Sequence, residues 1–357
     1  MNKRIAFLVY NFSNSGGLNQ VVVNLINELC NEYDIHLISL IQDKPISYKI
    51  DSRIKYTYLF SKESRLRKMW KDAKIPLKEY VKDNSIDTVI LEGDYPGIIG
   101  SSLRFTTNTK IIFHEHGSLM SQWDRKDIIG IRFLSSFLSH KTIVLTKRNK
   151  DAYINKFLKR NNNVYVIPNW VEDKFKNNKE YNINSKKVIY AGRFGYEKGV
   201  LNLLQAWSSV YKNLDGWTLD LYGDGEEKEK IKNFIFDNNL SDTVNLMGWK
   251  KNLHNKFNEY SFLILPSERE GFPLIILEAQ LEGLPVISYD ILTGPSEIIN
   301  NEIDGILIKE RNYILLGREI EKLAKDKEKR LKMSKKAKEN VKRFSKEIII
   351  NYWKEII

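Results

Sequence analysis

Cysteine is almost missing: the 357-residue chain has a single one, Cys30, in an apolar helical stretch. That excludes a disulfide framework and any cysteine-based metal site within the chain, and it fits a reducing, cytoplasmic setting. Long hydrophobic runs are missing as well. The apolar run in "MNKRIAFLVYNFSNSGG" is too short to span a bilayer and has no cleavage-site pattern, so it predicts a first strand and neither a signal peptide nor a transmembrane helix. The strict G-x-G-x-x-G fingerprint and the Walker A pattern do not occur, which excludes two common phosphate-binding signatures. No D-x-D pair, internal repeat, low-complexity tract or sustained heptad is present.

What is there suffices for a folded enzyme. With 42% hydrophobic and 29% charged residues the chain can bury full cores, and its length suggests two domains. The net charge of +12 is uneven. Most of the excess falls in the first half and is densest in Lys44–Lys82, which contains "KESRLRKMWKDAKIPLKEYVK". Arg65, Arg67, Lys68 and Lys71 stand there beside Leu66, Met69 and Trp70, a mixture found in interfacial helices. Nucleic acid, an anionic membrane surface, a polyanionic acceptor and a merely solvated helix face all fit such a stretch.

Short apolar runs alternate with helical patterns. Strands are expected at Arg4–Val9, Ile35–Leu40, Thr88–Leu91, Lys110–Phe113, Thr142–Leu145 and Asn163–Ile167. After a polar stretch the alternation restarts at Val188–Ala191, Thr218–Leu221, Val244–Met247, Phe262–Leu265, Val286–Ser288 and Gly305–Ile308. Alternating β and α segments predict parallel sheets with crossover helices, and the restart predicts two such domains with a linker near Pro168–Lys186. Two doubly wound domains facing a central cleft would bind ligands at the carboxyl ends of their strands.

Several strand–loop–helix junctions carry chemistry. "VYNFSNSGGLNQVVVNL" places Gly16 and Gly17 before a helix, where free N–H groups and the dipole favour an anion; a plain turn needing φ > 0 is the simpler reading. "VIYAGRFGYEKGVLNLLQAW" sets Arg193 and Lys198 around a Gly-containing loop, a pair that suits a diphosphate. "LYGDGEEKEKIKNFI" lacks the third glycine and is a weak signal, with Asp224 placed to cap a helix. Gly248 and Trp249 close another strand, where a base or ribose could lie or the indole could simply pack. In "LPSEREGFPLIILEAQLEGLPVIS" Pro273 suits the first helical position, leaving amides around Gly271, Phe272 and Leu274 free for hydroxyls or phosphate. Glu278 shares a helical face with Leu274, Leu277 and Leu281, where a carboxylate is costly unless hydrogen-bonded; a ribose diol would serve, and so would an internal salt bridge. Glu270 stands in the loop before it. "IIFHEHGSLM" ends a strand in His114, Glu115 and His116, a weak metal pattern without an evident third ligand and without a nucleophile elbow.

Glu270 and Glu278 match the E-x7-E pattern, and the chain resembles the retaining glycosyltransferases of family 4 (group 1). The likeness extends over nearly the whole chain, through the Gly16-Gly17 loop, "IPNWV", "AGRFGYEKG", "YGDGEEKEKI" and "GPSEIINNEIDGILI". It implies the GT-B fold: an N-terminal Rossmann-like acceptor domain (1–168), a nucleotide-sugar domain (169–342) and a final helix (343–357) crossing back to the first. It also implies roles. Gly17 would offer its amide to the donor diphosphate, Arg193 and Lys198 would neutralise it, and Glu278 would hold the ribose. Glu270 and the amides of Gly271–Leu274 would hold the donor sugar, with His116, or His114 in its place, nearby. Thr293–Ser296 resembles the subgroup acting on teichoic acid, capsule and lipid-linked oligosaccharides.

The expectation is therefore a metal-independent retaining transferase with no cofactor. It would use a nucleotide sugar, UDP-linked, and a lipid-linked or polymeric glycan acceptor, and would dock peripherally on an anionic inner membrane face through Lys44–Lys82. A GT-B sugar-nucleotide hydrolase or epimerase is the enzymatic alternative, disfavoured by the E-x7-E loop. Nucleic-acid binding by the basic half is the other, but no such motif or stacking platform is present.

Overall fold

The computed structural model describes residues 2–14, 16–171 and 180–357. The chain divides into two compact units, Met1–Asn169 with Ile349–Ile357, and Trp170–Ile348.

The first unit holds strands β1 (Arg4–Asn11), β2 (Asp34–Ile41), β3 (Lys55–Phe60), β4 (Thr88–Glu92), β5 (Lys110–Glu115), β6 (Lys141–Val144) and β7 (Val164–Val166). All pairings are parallel, in the order β3-β2-β1-β4-β5-β6-β7. Its helices are α1 (Gly17–Leu29), α2 (Leu66–Asp83), α3 (Asp94–Gly100), α4 (Lys126–Leu138) and α5 (Lys147–Phe157). The central strands are continuous apolar runs, as a sheet covered on both faces requires. Met69, Ala73, Leu77 and Val81 of α2 recur every four residues and pack with Leu8, Val89, Leu91 and Phe113 in one core.

The second unit holds β8 (Lys187–Ala191), β9 (Thr218–Tyr222), β10 (Val244–Gly248), β11 (Phe262–Leu265), β12 (Val286–Tyr289) and β13 (Gly305–Ile308). They are again all parallel, in the order β10-β9-β8-β11-β12-β13. Its helices are α6 (Val200–Val210), α7 (Lys228–Asp237), α8 (Leu274–Leu281), α9 (Pro295–Ile298), α10 (Tyr313–Lys325) and α11 (Lys327–Asn340), and α12 (Lys346–Ile356) ends the chain. Trp207, Leu203, Tyr190 and Ile264 lie at the centre of this core.

Both sheets reverse winding direction at a switch point, between β1 and β4 and between β8 and β11, where doubly wound sheets gather ligand-binding loops. From Ile349 onward α12 belongs to the first unit. Lys110 and Lys141 donate to the carbonyl of Ile356 at 2.7 and 3.0 Å, satisfying a helix-end carbonyl, and the Trp353 ring stands edge-on to His114.

The twelve expected strands are all present, most ends moving by a residue or two. β3 was not foreseen: it is an edge strand whose residues are only half-buried or exposed, so it has no apolar run to announce it. Pro273 does not open α8 but caps it, so Leu274 is the first helical residue. Met69 faces the core and Leu66 is half-buried, so of Leu66, Met69 and Trp70 only Trp70 is exposed; Ile75, one turn further along α2, is exposed as well. Of the expected linker Pro168–Lys186, residues 172–179 lie outside the described residues.

Candidate active site

In the second unit four loops meet at the carboxyl edge of the sheet. The loop after β8 is zipped to its neighbours by backbone bonds: Phe194 N–H donates to Asp224 O at 2.8 Å, and Glu268 N–H donates to Glu197 O at 2.8 Å. Two glycines are obligatory in this packing. Gly199, at φ 68°, passes so close to the loop after β11 that a Cβ would lie 2.3 Å from Pro266 O; at Gly223 a Cβ would lie 1.9 Å from Gly192 O.

This assembly places the expected acids and cations. The Lys198 ammonium pairs with Glu270 Oε1 at 2.7 Å, and Ser267 Oγ donates to the same oxygen at 2.8 Å. Thr293 Oγ1 donates to the Glu270 carbonyl at 2.6 Å, and the Gly294 backbone packs against Pro273 and Gly271, so the turn 270–273 is held from two sides. Arg193 is exposed and pairs with Glu197 and with Glu226, the latter at 3.3 Å. The two cations thus face different acids, each partly open to solvent. Gly248 ends β10 at φ 68°, beside an exposed Trp249.

Glu278 differs from every other acid in this group. It is half-buried in α8, among the buried Ile276, Leu277, Ala279 and Gln280. Its carboxyl has no hydrogen-bond or ion-pair partner among the described residues, and burial pushes it up to about 7. No salt bridge occupies it, which leaves open the place that the sequence reading gave to a ribose.

In the first unit, Gly16 is the N-cap of α1 and Gly17 its first residue. Gly16 is extended, at φ 174°, neither glycine lies in the left-handed region, and a Cβ on either would meet nothing within 4 Å, so the turn itself does not call for glycine. The Gly16 N–H donates to Tyr48 Oη at 2.8 Å.

His114 and His116 converge on Glu92, at the end of β4: His114 Nδ1 lies 2.8 Å and His116 Nε2 2.5 Å from the same Glu92 oxygen. Sequence reasoning missed this acid, although a carboxylate closing the fully buried run "TVILE" was a readable signal. These three residues are the one group of metal-ligand type among the described residues. The spacings are hydrogen-bond lengths; ligand atoms around a tetrahedral ion with bonds of ~2.0 Å would stand about 3.3 Å apart. His114 is buried, whereas His116 keeps 11% of its side chain exposed.

Between them Glu115 closes a second network. It accepts from Gly117 N–H at 2.7 Å and Tyr153 Oη at 2.8 Å and pairs with Arg132 Nε at 2.9 Å; Arg132 also pairs with Asp94. A Cβ at Gly117 would lie 2.7 Å from the Arg132 guanidinium, so this network fixes the turn that carries His116.

Along α2, Arg65, Arg67, Lys68, Trp70 and Lys71 are all exposed, and Lys74 Nζ sits 3.6 Å over the Trp70 ring. No helix of the described residues is long and apolar enough to cross a membrane.

Comparison with known proteins matches this architecture half by half. Residues 15–175 match the family model "Glycosyltransferase Family 4" and residues 171–340 that of "Glycosyl transferases group 1". The amylovoran biosynthesis glycosyltransferase AmsD of Erwinia amylovora is 27% identical, over 99% of both chains. An alpha-1,4-N-acetyl-D-galactosaminyltransferase of Campylobacter jejuni, whose name gives a diphosphoundecaprenol-linked acceptor, is 24% identical over 99% of this chain and 98% of that one. Among solved structures, a sucrose-phosphate synthase from Thermosynechococcus elongatus aligns with a TM-score of 0.85 at 18% identity, covering 99% of this chain and 98% of that one. HepE from Anabaena in complex with UDP aligns at 0.82 and 16%, covering 99% of each. At such identities the likeness is one of fold.

Proposed function

Because the chain belongs to the family 4, group 1 glycosyltransferases and has their GT-B fold, we propose that it moves a hexose or N-acetylhexosamine from a UDP-linked sugar to a lipid-linked or polymeric cell-surface glycan, with retention and without a metal. The observation that carries this reading is Glu278. A half-buried carboxyl without a partner, in the helix that follows the Glu270 loop, where Lys198 pairs with Glu270, is an incomplete site that a diol would complete. Relatives acting in polysaccharide biosynthesis and on a polyprenol-diphosphate acceptor support the acceptor class, and a UDP complex in a neighbour of the same fold supports the base.

In this reading Lys198 and Arg193 neutralise the diphosphate, and the Gly17 amide is a further donor to it. Their fixed charge meets the charge that develops as the bond from the anomeric carbon to the diphosphate breaks. The acceptor oxygen bonds to the anomeric carbon on the same face, and the departing phosphate oxygen takes the acceptor's proton. No enzyme nucleophile is needed. Glu270 and the amides of Gly271 to Leu274 orient the sugar, Gly248 serves the nucleotide, and His116 is assigned to the sugar. The exposed cations of α2, with Trp70, dock the enzyme on the anionic inner face of the membrane.

The test is a transfer assay in chelator-treated buffer, with a panel of UDP-sugars and polyprenyl-diphosphate-linked glycans. The expected product has the donor's anomeric configuration by NMR coupling. Release of free sugar alone would make the protein a hydrolase, and an absolute divalent-ion requirement would overturn the metal-free chemistry.

A further inference from the structure

Glu92 accepts hydrogen bonds from two histidines through one oxygen, while its other oxygen is buried with no partner among the described residues. Such crowding onto a single atom has a chemical consequence. An ionised carboxylate only accepts, so both nitrogens facing it are N–H. Burial pushes the Glu92 carboxyl up, but the two histidines outweigh it and hold the group well below the usual carboxylate range. His116 moves the other way: burial, and then His114, push it below the ordinary histidine range. A neutral imidazole carries one N–H, so in His116 the proton sits on Nε2 and the lone pair on Nδ1.

The two rings then have different fates. His114 faces Glu92 through Nδ1, and its Nε2 is buried without a partner while the ring meets the edge of Trp353. His114 is therefore closed to a ligand by its burial. His116 retains surface, and its Nδ1 has no partner among the described residues. Glu115, the other acid near this ring, is engaged by Arg132, Tyr153 and the Gly117 amide and does not compete for the proton.

We propose that Glu92 is a positioning residue: by accepting from Nε2 it fixes His116 as the Nε2–H tautomer and presents the Nδ1 lone pair as an acceptor for a substrate hydroxyl. The role for that hydroxyl rests on the reading that His116 meets the donor sugar; the tautomer does not.

Long-range 1H–15N NMR of the full-length protein labelled with 15N-histidine, in metal-free buffer near neutral pH, tests it directly. His116→Gln assigns the signal. The expected spectrum shows His116 with Nε2 protonated and Nδ1 bare, in a ratio of at least about 10:1, as a charge-assisted hydrogen bond provides. In Glu92→Gln, with folding checked by its melting curve, that ratio should fall toward a mixture, because the amide can donate as well as accept. A wild-type His116 with Nδ1 protonated, or with both nitrogens protonated, overturns the proposal without recourse to any variant. So does stoichiometric bound metal in the purified protein, or a Glu92→Gln spectrum unchanged at His116. Failure of the functional reading is recognised separately: His116→Ala would leave transfer unaffected while the wild-type tautomer stood as expected.

Discussion

Glu92 and Glu115 in the first unit and Glu278 in the second are all carboxylates at or just beyond a parallel sheet, yet their surroundings are opposite. Glu115 is closed in by an arginine, a tyrosine and an amide, and Glu92 by two histidines. Glu278 has no partner among the described residues and is pushed toward neutrality. A buried charge is tolerated where the chain supplies its counterparts. Where the chain withholds them stability is sacrificed, and in the reading proposed above a bound diol supplies the missing partner. The first unit thus supplies each acid with charged or polar partners that hold His116 and its turn, although one Glu92 oxygen stays unpartnered; the second supplies Glu278 with none among the described residues.

The sharpest way to break this contrast is Arg132→Ala. It leaves Glu115 and Asp94 facing each other without their cation, and a loss of about 3–5 kcal/mol is expected, read as a lowered calorimetric transition. An unchanged melting profile would mean the first unit's network is not closed in the sense described.

Glu278→Gln should act in the opposite direction. The folded carboxyl, at about 7, lies above its ordinary value of 4.5, so the folded state binds the proton more tightly than the unfolded chain. Its contribution to stability is fully present below 4.5 and is lost as pH rises through about 7. The variant should therefore be more stable than wild type at pH 8, on the order of 2 kcal/mol, with the gain vanishing near pH 4. Melting curves at the two pH values measure it. A variant destabilised equally at both would show that Glu278 has an internal partner.

Lys198→Ala should cost about 1 kcal/mol or less in stability, since the pair with Glu270 is partly solvated and Ser267 remains, while nucleotide binding falls by about tenfold or more. Equal losses in both would make the pair structural. The smallest stability effect, within about 0.5 kcal/mol, is expected for charge reversal at Arg65, Arg67, Lys68 and Lys71, all exposed. Sedimentation with anionic liposomes at low salt should nevertheless drop sharply; unchanged binding would remove α2 from membrane docking.

Strands buried on both faces were legible because their apolar runs have no other explanation, as in "RIAFLV" or "FLIL". β3 was not, because an edge strand shows neither a run nor a clean alternation. Glu278 stood out because a charge falls among leucines, and Glu270 because it stands in the loop just before that helix. What the sequence could not show is which acids find partners from elsewhere. Glu92 meets residues 22 and 24 positions away, and Glu115 meets Arg132 and Tyr153, contacts that exist only once β4, β5, α4 and α5 are packed. For the same reason Lys198 and Arg193, adjacent in one motif, could not be read as tied to different acids.

The most direct test of the unfinished site is calorimetric titration, without metal, of UDP, GDP, ADP and their sugars into the wild type and into Glu278→Ala. The expected result is binding of one nucleotide and its sugar by the wild type, lost in a variant that melts no lower. Absence of binding by every nucleotide, or binding undiminished in the variant, would contradict the assignment of Glu278 to the donor.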